Sequence, residues 1–150
     1  MTAGVRRSGR RHRARELALR VLFELEGTDK DADVALAYQA DDLTVPRDVR
    51  DFARELVDGC LRYAADLDAV IGVASSNWSL AELGKVERAV LRLGAYEVRY
   101  CPDVPAPVAI DEAVELAKIY VGTEAGAYVN GVLARLAGDL PAGERAEGGR

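Results

Sequence analysis

Arginine dominates the first twenty residues. Arg6, Arg7, Arg10, Arg11, Arg13, Arg15 and Arg20 stand there against a single acid, Glu16. A guanidinium offers forked, planar donors that match phosphate oxygens and a flat face that stacks on bases. Such a cluster is therefore suited to gripping a polyanion rather than to making or breaking bonds. The other 130 residues hold 13 bases against 24 acids, so the net charge of −5 conceals a positive end on an acidic chain. On charge alone, nucleic-acid binding competes with a plain solubilising role for this segment.

Groups for catalysis are scarce. The one histidine, His12, sits among the arginines, whereas a general base wants an orienting carboxylate and a nucleophile beside it. It reads as a solvated or phosphate-adjacent side chain. The two cysteines, Cys60 and Cys101, are too few for a disulfide framework, and with one histidine they are too few for a structural zinc site. Cys60 lies on an apolar helical stripe and reads as core; Cys101 precedes Pro102 in a connection with nothing to activate its thiol. Asp41 with Asp42 and Asp66 with Asp68 lack a partner histidine or a glycine-bearing calcium loop. Asp111, Glu112 and Glu115 read as acids complementing the positive start of a helix that follows the prolines. Phosphate-binding loops, dinucleotide fingerprints and nucleophile elbows are all missing from the sequence. No enzymatic activity, cofactor or metal is expected.

The elements that position the arginines follow from periodicity. Ala14, Leu17, Ala18, Val21, Leu22 and Leu25 recur at helical spacing, with Gly27 as a stop and Asp29 as a cap for the next helix. A weaker helix is expected at 31–42. Pro46 opens a strong stripe of Val49, Phe52, Ala53, Leu56, Val57, Cys60 and Leu61, and a further helix follows a break near Ala64. Ser75-Ser76-Asn77-Trp78 marks a connection, and Ser79 to Glu82 has capping-box spacing. Residues 85–99 are apolar on most faces and read as a central helix. After Pro102, Pro105 and Pro107 come two more helices, the last capped by Thr123. Periodicity outvotes Asn130-Gly131 as a hairpin turn, and these two residues are expected to serve packing.

With aromatics at 6% and no strand pattern, the expected fold is all-α: about seven helices in two packed small bundles. The expected organisation is a flexible basic arm at 1–10, an N-terminal helical subdomain at 11–78, a C-terminal one at 79–138 and a disordered tail at 139–150. No apolar run reaches the roughly 18 residues of a membrane span. The basic N-terminus lacks an apolar secretory segment, so a cytoplasmic location is expected.

Three stretches resemble a known family. They are Arg11-His12-Arg13-Ala14-Arg15-Glu16-Leu17-Ala18 leading into Val21-Leu22-Phe23, Glu82-Leu83-Gly84-Lys85-Val86-Glu87-Arg88 through Tyr96-Glu97, and Asp103-Val104-Pro105 through Ala109-Ile110-Asp111-Glu112-Ala113 to Tyr128-Val129-Asn130-Gly131-Val132-Leu133. In this order and at these distances the chain resembles the NusB transcription antitermination proteins over nearly all of its ordered length; residues 27–78 match only in helical pattern. The resemblance implies two helical bundles and no catalysis. It implies binding of boxA, a short single-stranded element of ribosomal RNA leaders, together with NusE, a small-subunit ribosomal protein. It also implies delivery of that RNA to elongating RNA polymerase with other Nus factors. Some family members self-associate, so a homodimer covering the RNA-facing surface is a further implied assembly.

Carried over by position, Arg11, Arg13 and Arg15 match the basic RNA-contacting run, with Arg6, Arg7 and Arg10 supplied by the arm. His12 stands where the family often has arginine. Tyr128 matches an aromatic beside the RNA, and Lys85 is a basic residue of the second stretch within reach of it. Phe23, commonly tyrosine in the family, and Glu87 match positions at the NusE interface, and Glu124 an acidic position tied to antitermination. Each has a plainer alternative: Phe23 and Tyr128 as core, Glu87 as a solvated helix acid, Lys85 paired with Glu82, and Glu124 complementing its helix start. Two rival readings remain, an all-α DNA-binding regulator using the basic helix, and an accessory region like those preceding ribosomal-RNA cytosine methyltransferases.

Overall fold

A computed structural model describes the backbone of residues 3–75 and 83–138 and the side chains of residues 9–75 and 83–138. Among these residues there are seven helices and no strand: α1 (Ala3–Leu25), α2 (Ala32–Leu43), α3 (Arg47–Arg62), α4 (Ala64–Ala74), α5 (Lys85–Tyr100), α6 (Ala106–Tyr120) and α7 (Thr123–Gly138). The chain divides into two compact units that meet at Gly59 and Cys60. This division differs from the expected boundary near residue 78, and within the second unit α4 packs on α5 and α7. Helix α1 also begins earlier than expected: its backbone is helical from Ala3, through the segment read as an arm.

In the first unit, α1 buries Ala14, Leu17, Ala18, Leu19, Val21 and Leu22 and packs on α2, which buries Ala35, Leu36 and Ala40. Gly27, at φ +74°, turns the chain out of α1 in a conformation that glycine adopts without penalty. The cap of α2 is Asp31 rather than Asp29: its carboxylate accepts from the Asp33 and Val34 amides at 2.7 and 3.2 Å. The same helix ends on Thr44 at φ +52°, a left-handed conformation that costs a β-branched residue roughly 1–2 kcal/mol. Helix α3 follows Pro46, whose carbonyl accepts from the Arg50 amide at 3.0 Å. It buries Val49, Ala53, Leu56, Val57 and Cys60. Two members of its expected stripe lie off the buried face: Leu61 is 47% exposed and Phe52 is half-buried.

In the second unit, α5 touches α4, α6 and α7. A methyl group on Gly94 would lie 2.5 Å from Leu133 Cδ1 and 3.1 Å from Ala113 Cβ, so glycine lets α6 and α7 close on α5. Arg92 donates to both oxygens of Asp68 at 2.7 and 3.1 Å, and Arg99 to Asp66 at 2.7 Å, which ties α4 to α5. Tyr100 adds a hydroxyl bond to Asp66 at 2.6 Å. Helix α6 starts at Ala106 with no acid in its first turn, so Asp111, Glu112 and Glu115 lie past the helix start they were expected to complement. Helix α7 runs unbroken through Asn130 and Gly131. Both are exposed, with open space beside Gly131, so the packing role expected of them is not theirs. The capping-box residues Ser79 and Glu82 and the tail at 139–150 lie outside the described residues. No helix among the described residues is long and apolar enough to cross a membrane.

Candidate nucleic-acid interface

The apolar face of α1 fixes where its arginines emerge. Leu17, Ala18 and Val21 are wholly buried, so side chains on either flank of that face leave along its two edges. Arg10, Arg11 and Arg15 leave on the edge beside α3. Arg10 pairs with Asp48, and this guanidinium holds the Asp48 carboxyl below its ordinary range. The Arg11 guanidinium carbon lies 3.8 Å from the centroid of the Phe52 ring, a close cation–π contact, and Arg11 is exposed. Arg15 approaches the same ring at 6.0 Å but is only 4% exposed. Its guanidinium is therefore tucked against α3 instead of displayed, unlike those of Arg10, Arg11 and Arg13.

Arg13 and Arg20 leave on the other edge, towards the end of α2. Arg13 donates one terminal nitrogen to the carbonyls of Leu43 and Thr44 at 3.3 and 3.1 Å, and Arg20 bonds Asp42 at 3.3 Å. Unsatisfied carbonyls at a helix C-terminus carry partial negative charge, which favours a cation there. Arg13 remains exposed and His12 is half-buried. The backbone of Arg6 and Arg7 belongs to α1, while their side chains lie outside the described ones.

The remaining candidates are distributed over both units. Phe23, in the first, is 41% exposed, so it does not serve the core. In the second, Lys85 is exposed at the first position of α5 and Glu124 is exposed in the first turn of α7. The Glu87 carboxylate accepts from the Gly84 amide at 3.1 Å, closing the first turn of α5. Glycine has no side chain to return the bond, so only half of a capping box is present. Tyr128 is half-buried and its hydroxyl is bonded to that of Ser75, while Arg135 donates to the Ala74 carbonyl, so α7 grips the end of α4.

Sequence reasoning missed the residues that hold the arginine row. Asp48 and Phe52 stand four apart on α3 and present an acid and an aromatic on one face; that spacing was the available signal. It missed also the tyrosines Tyr63, Tyr96 and Tyr100, in which Tyr63 and Tyr100 stack at 4.0 Å between centroids. Asp66 and Asp68, set aside for want of a histidine, serve arginines instead. Cys60 is buried, its thiol pointing to the Arg92 carbonyl at 3.8 Å, and burial raises its pKa well above that of a free thiol, the reverse of what a nucleophile needs. Among the described residues no three His, Cys, Asp or Glu side chains gather to hold a metal.

The sequence profile described as NusB family matches residues 12–138. A transcription antitermination protein NusB of Ruminiclostridium cellulolyticum is 40% identical over 134 residues, covering 87% of this chain and 91% of that protein. Among solved structures, T. maritima NusB superposes with a TM-score of 0.79 at 35% identity, covering 86% of this chain and 91% of that one. A structure of antitermination factors NusB and NusE in complex with dsRNA gives a TM-score of 0.79 at 27% identity, covering 87% of this chain and 97% of its counterpart. The arginine-bearing first helix, the seven-helix order and these matches agree: the chain belongs to the NusB family.

Proposed function

We propose that this protein is a transcription antitermination factor, not an enzyme, that binds single-stranded boxA-type RNA of ribosomal leaders together with NusE. It then delivers that RNA to elongating RNA polymerase with other Nus factors, in the cytoplasm. The observation that carries this reading is the row of guanidiniums on α1, anchored by a buried apolar face and displayed at Arg10, Arg11 and Arg13. Phosphates supply affinity through these groups, and stacking or base-edge bonds on an unpaired strand supply preference. Arg6, Arg7, His12, Lys85 and Tyr128 extend the RNA contact. Arg15 serves the RNA contact from its buried place by fixing α1 on α3. Phe23, Glu87 and Glu124 face the protein partners. The acidic remainder complements a basic ribosomal protein.

One observation favours a second reading of the ligand. The similar NusB–NusE pair was solved with double-stranded RNA, so a duplex is the natural competitor. The test is to mix the purified chain with NusE and a labelled single-stranded leader RNA, then to compete with the same sequence as duplex RNA and as duplex DNA. Light scattering on each mixture gives the assembly mass and thus separates a homodimer from a complex. Preferential retention of single-stranded RNA in a NusE-dependent complex is expected. Equal displacement by duplex DNA would favour a DNA-binding regulator and overturn the proposal.

A further inference from the structure

We infer that Phe52 is a positioning residue for RNA binding: it holds the Arg11 guanidinium flat so that its donors are presented to the ligand already oriented. The inference rests on the RNA-binding reading above. Arg11 is exposed, and an exposed arginine ordinarily samples many rotamers, whose loss on binding weakens affinity. Here the guanidinium carbon lies 3.8 Å from the Phe52 ring centroid, close enough for face-to-face stacking. Stacking restrains the plane and consumes no N–H donor, because the ring attracts the π-face of the cation while the donors lie in its plane. Phe52 is well placed to act this way. It is half-buried, next in sequence to the wholly buried Ala53, and one helical turn after Asp48, which pairs with Arg10. The Arg15 guanidinium, buried, lies 6.0 Å from the centroid of the same ring. One face of α3 thus meets three cations of α1, Arg10, Arg11 and Arg15.

Affinity of the full chain, with NusE, for a short labelled single-stranded boxA-type RNA tests this. Phe52→Leu keeps an apolar side chain but removes the π-face; a loss of roughly 3- to 10-fold is expected, the size of one cation–π contact and one unrestrained side chain. Phe52→Tyr keeps the face and restores binding. In the Arg11→Ala background, Phe52→Leu costs nothing further, because the cation that it positions is gone. A purely structural role would cost the same in both backgrounds. Additive losses, or unchanged affinity for Phe52→Leu while Arg11→Ala weakens binding, overturn the inference and leave the RNA-binding reading standing. Unchanged affinity for Arg11→Ala also overturns the inference, whereas failure of the unaltered chain with NusE to retain the RNA overturns the RNA-binding reading itself. Should Phe52→Leu fail to fold, Arg11→Lys asks the same question, since it keeps the charge but not the plane; wild-type affinity in that variant overturns the inference.

Discussion

Salt dependence distinguishes the displayed arginines from the buried one. Arg10, Arg11 and Arg13 stand at the surface of α1, and Arg15 is 4% exposed. Each phosphate neutralised on a single strand contributes about 0.7 to the slope of log K against log salt. Three displayed guanidiniums therefore set a slope of about −2, and Arg6, Arg7 and Lys85 can only steepen it. Raising the salt roughly fourfold then weakens binding by about 16-fold. The pair of Arg10 with Asp48 lies on the surface, where such ion pairs add little, so it yields to a phosphate. Arg11→Ala and Arg13→Ala each make the slope shallower by about 0.7. Arg15→Ala leaves the slope unchanged, although it lowers the melting temperature by opening space beside Phe52. The assay is fluorescence anisotropy with labelled single-stranded RNA over a salt series, with circular dichroism to confirm helicity. A slope near zero, or an Arg15→Ala variant whose slope falls as far as that of Arg11→Ala, would refute the assignment of phosphate contacts to the displayed side chains.

Gly94→Ala and Gly131→Ala should change stability in opposite directions. Overpacking against Leu133 and Ala113 costs about 1–3 kcal/mol at Gly94, more than the ~1 kcal/mol of helix propensity gained, whereas at Gly131 the propensity gain stands alone; equal signs in urea unfolding would contradict the packing described. Thr44→Gly should stabilise by about 1 kcal/mol, since the left-handed conformation there suits glycine, and a lower melting temperature would show that the Thr44 side chain is needed. Burial pushes the Asp66 carboxyl up, but the bonds from Arg99 and Tyr100 outweigh it and hold the folded group below its ordinary value. Its contribution is therefore complete above the unfolded carboxylate pKa, about 4, and is lost as pH falls through the folded value, so Asp66→Asn should lose stability at neutral pH and flatten the acid limb of the stability curve. An acid limb as steep in that variant as in the wild type would remove Asp66 from the account.

Much of the fold was legible because it rests on periodicity. Ala14 to Leu22, Val49 to Cys60 and Val129 to Leu136 recur at the spacing of a helix, and, Phe52 apart, those positions are buried. Caps were read less well: Asp29 and Asp31 are equivalent in type, and only the chain path selects the second. Long-range pairing was not legible at all. That α4 joins the second unit depends on Asp66 meeting Arg99 and Asp68 meeting Arg92, across 33 and 24 residues of chain. Gly131 was misread for the same reason: it and Gly94 look alike in sequence, and only the neighbouring helices differ. At the candidate site, the identity of the arginines was plain from their clustering. Which of them faces outward was not, because Arg11 and Arg15 lie one turn apart on the same edge of the apolar stripe, and the depth of α3 beneath them separates exposed from buried.

The way Arg13 is held carries a mechanical consequence. One of its terminal nitrogens clasps the last carbonyls of α2, while a guanidinium has five N–H donors in all. A phosphate taken by the remaining donors would leave that clasp intact and would immobilise the side chain from both ends. Ligand capture on the first helix would then damp fraying at the tip of the second, and amide protons near Val45, whose N–H reaches back to the Ala40 carbonyl, should exchange with solvent more slowly once RNA is bound.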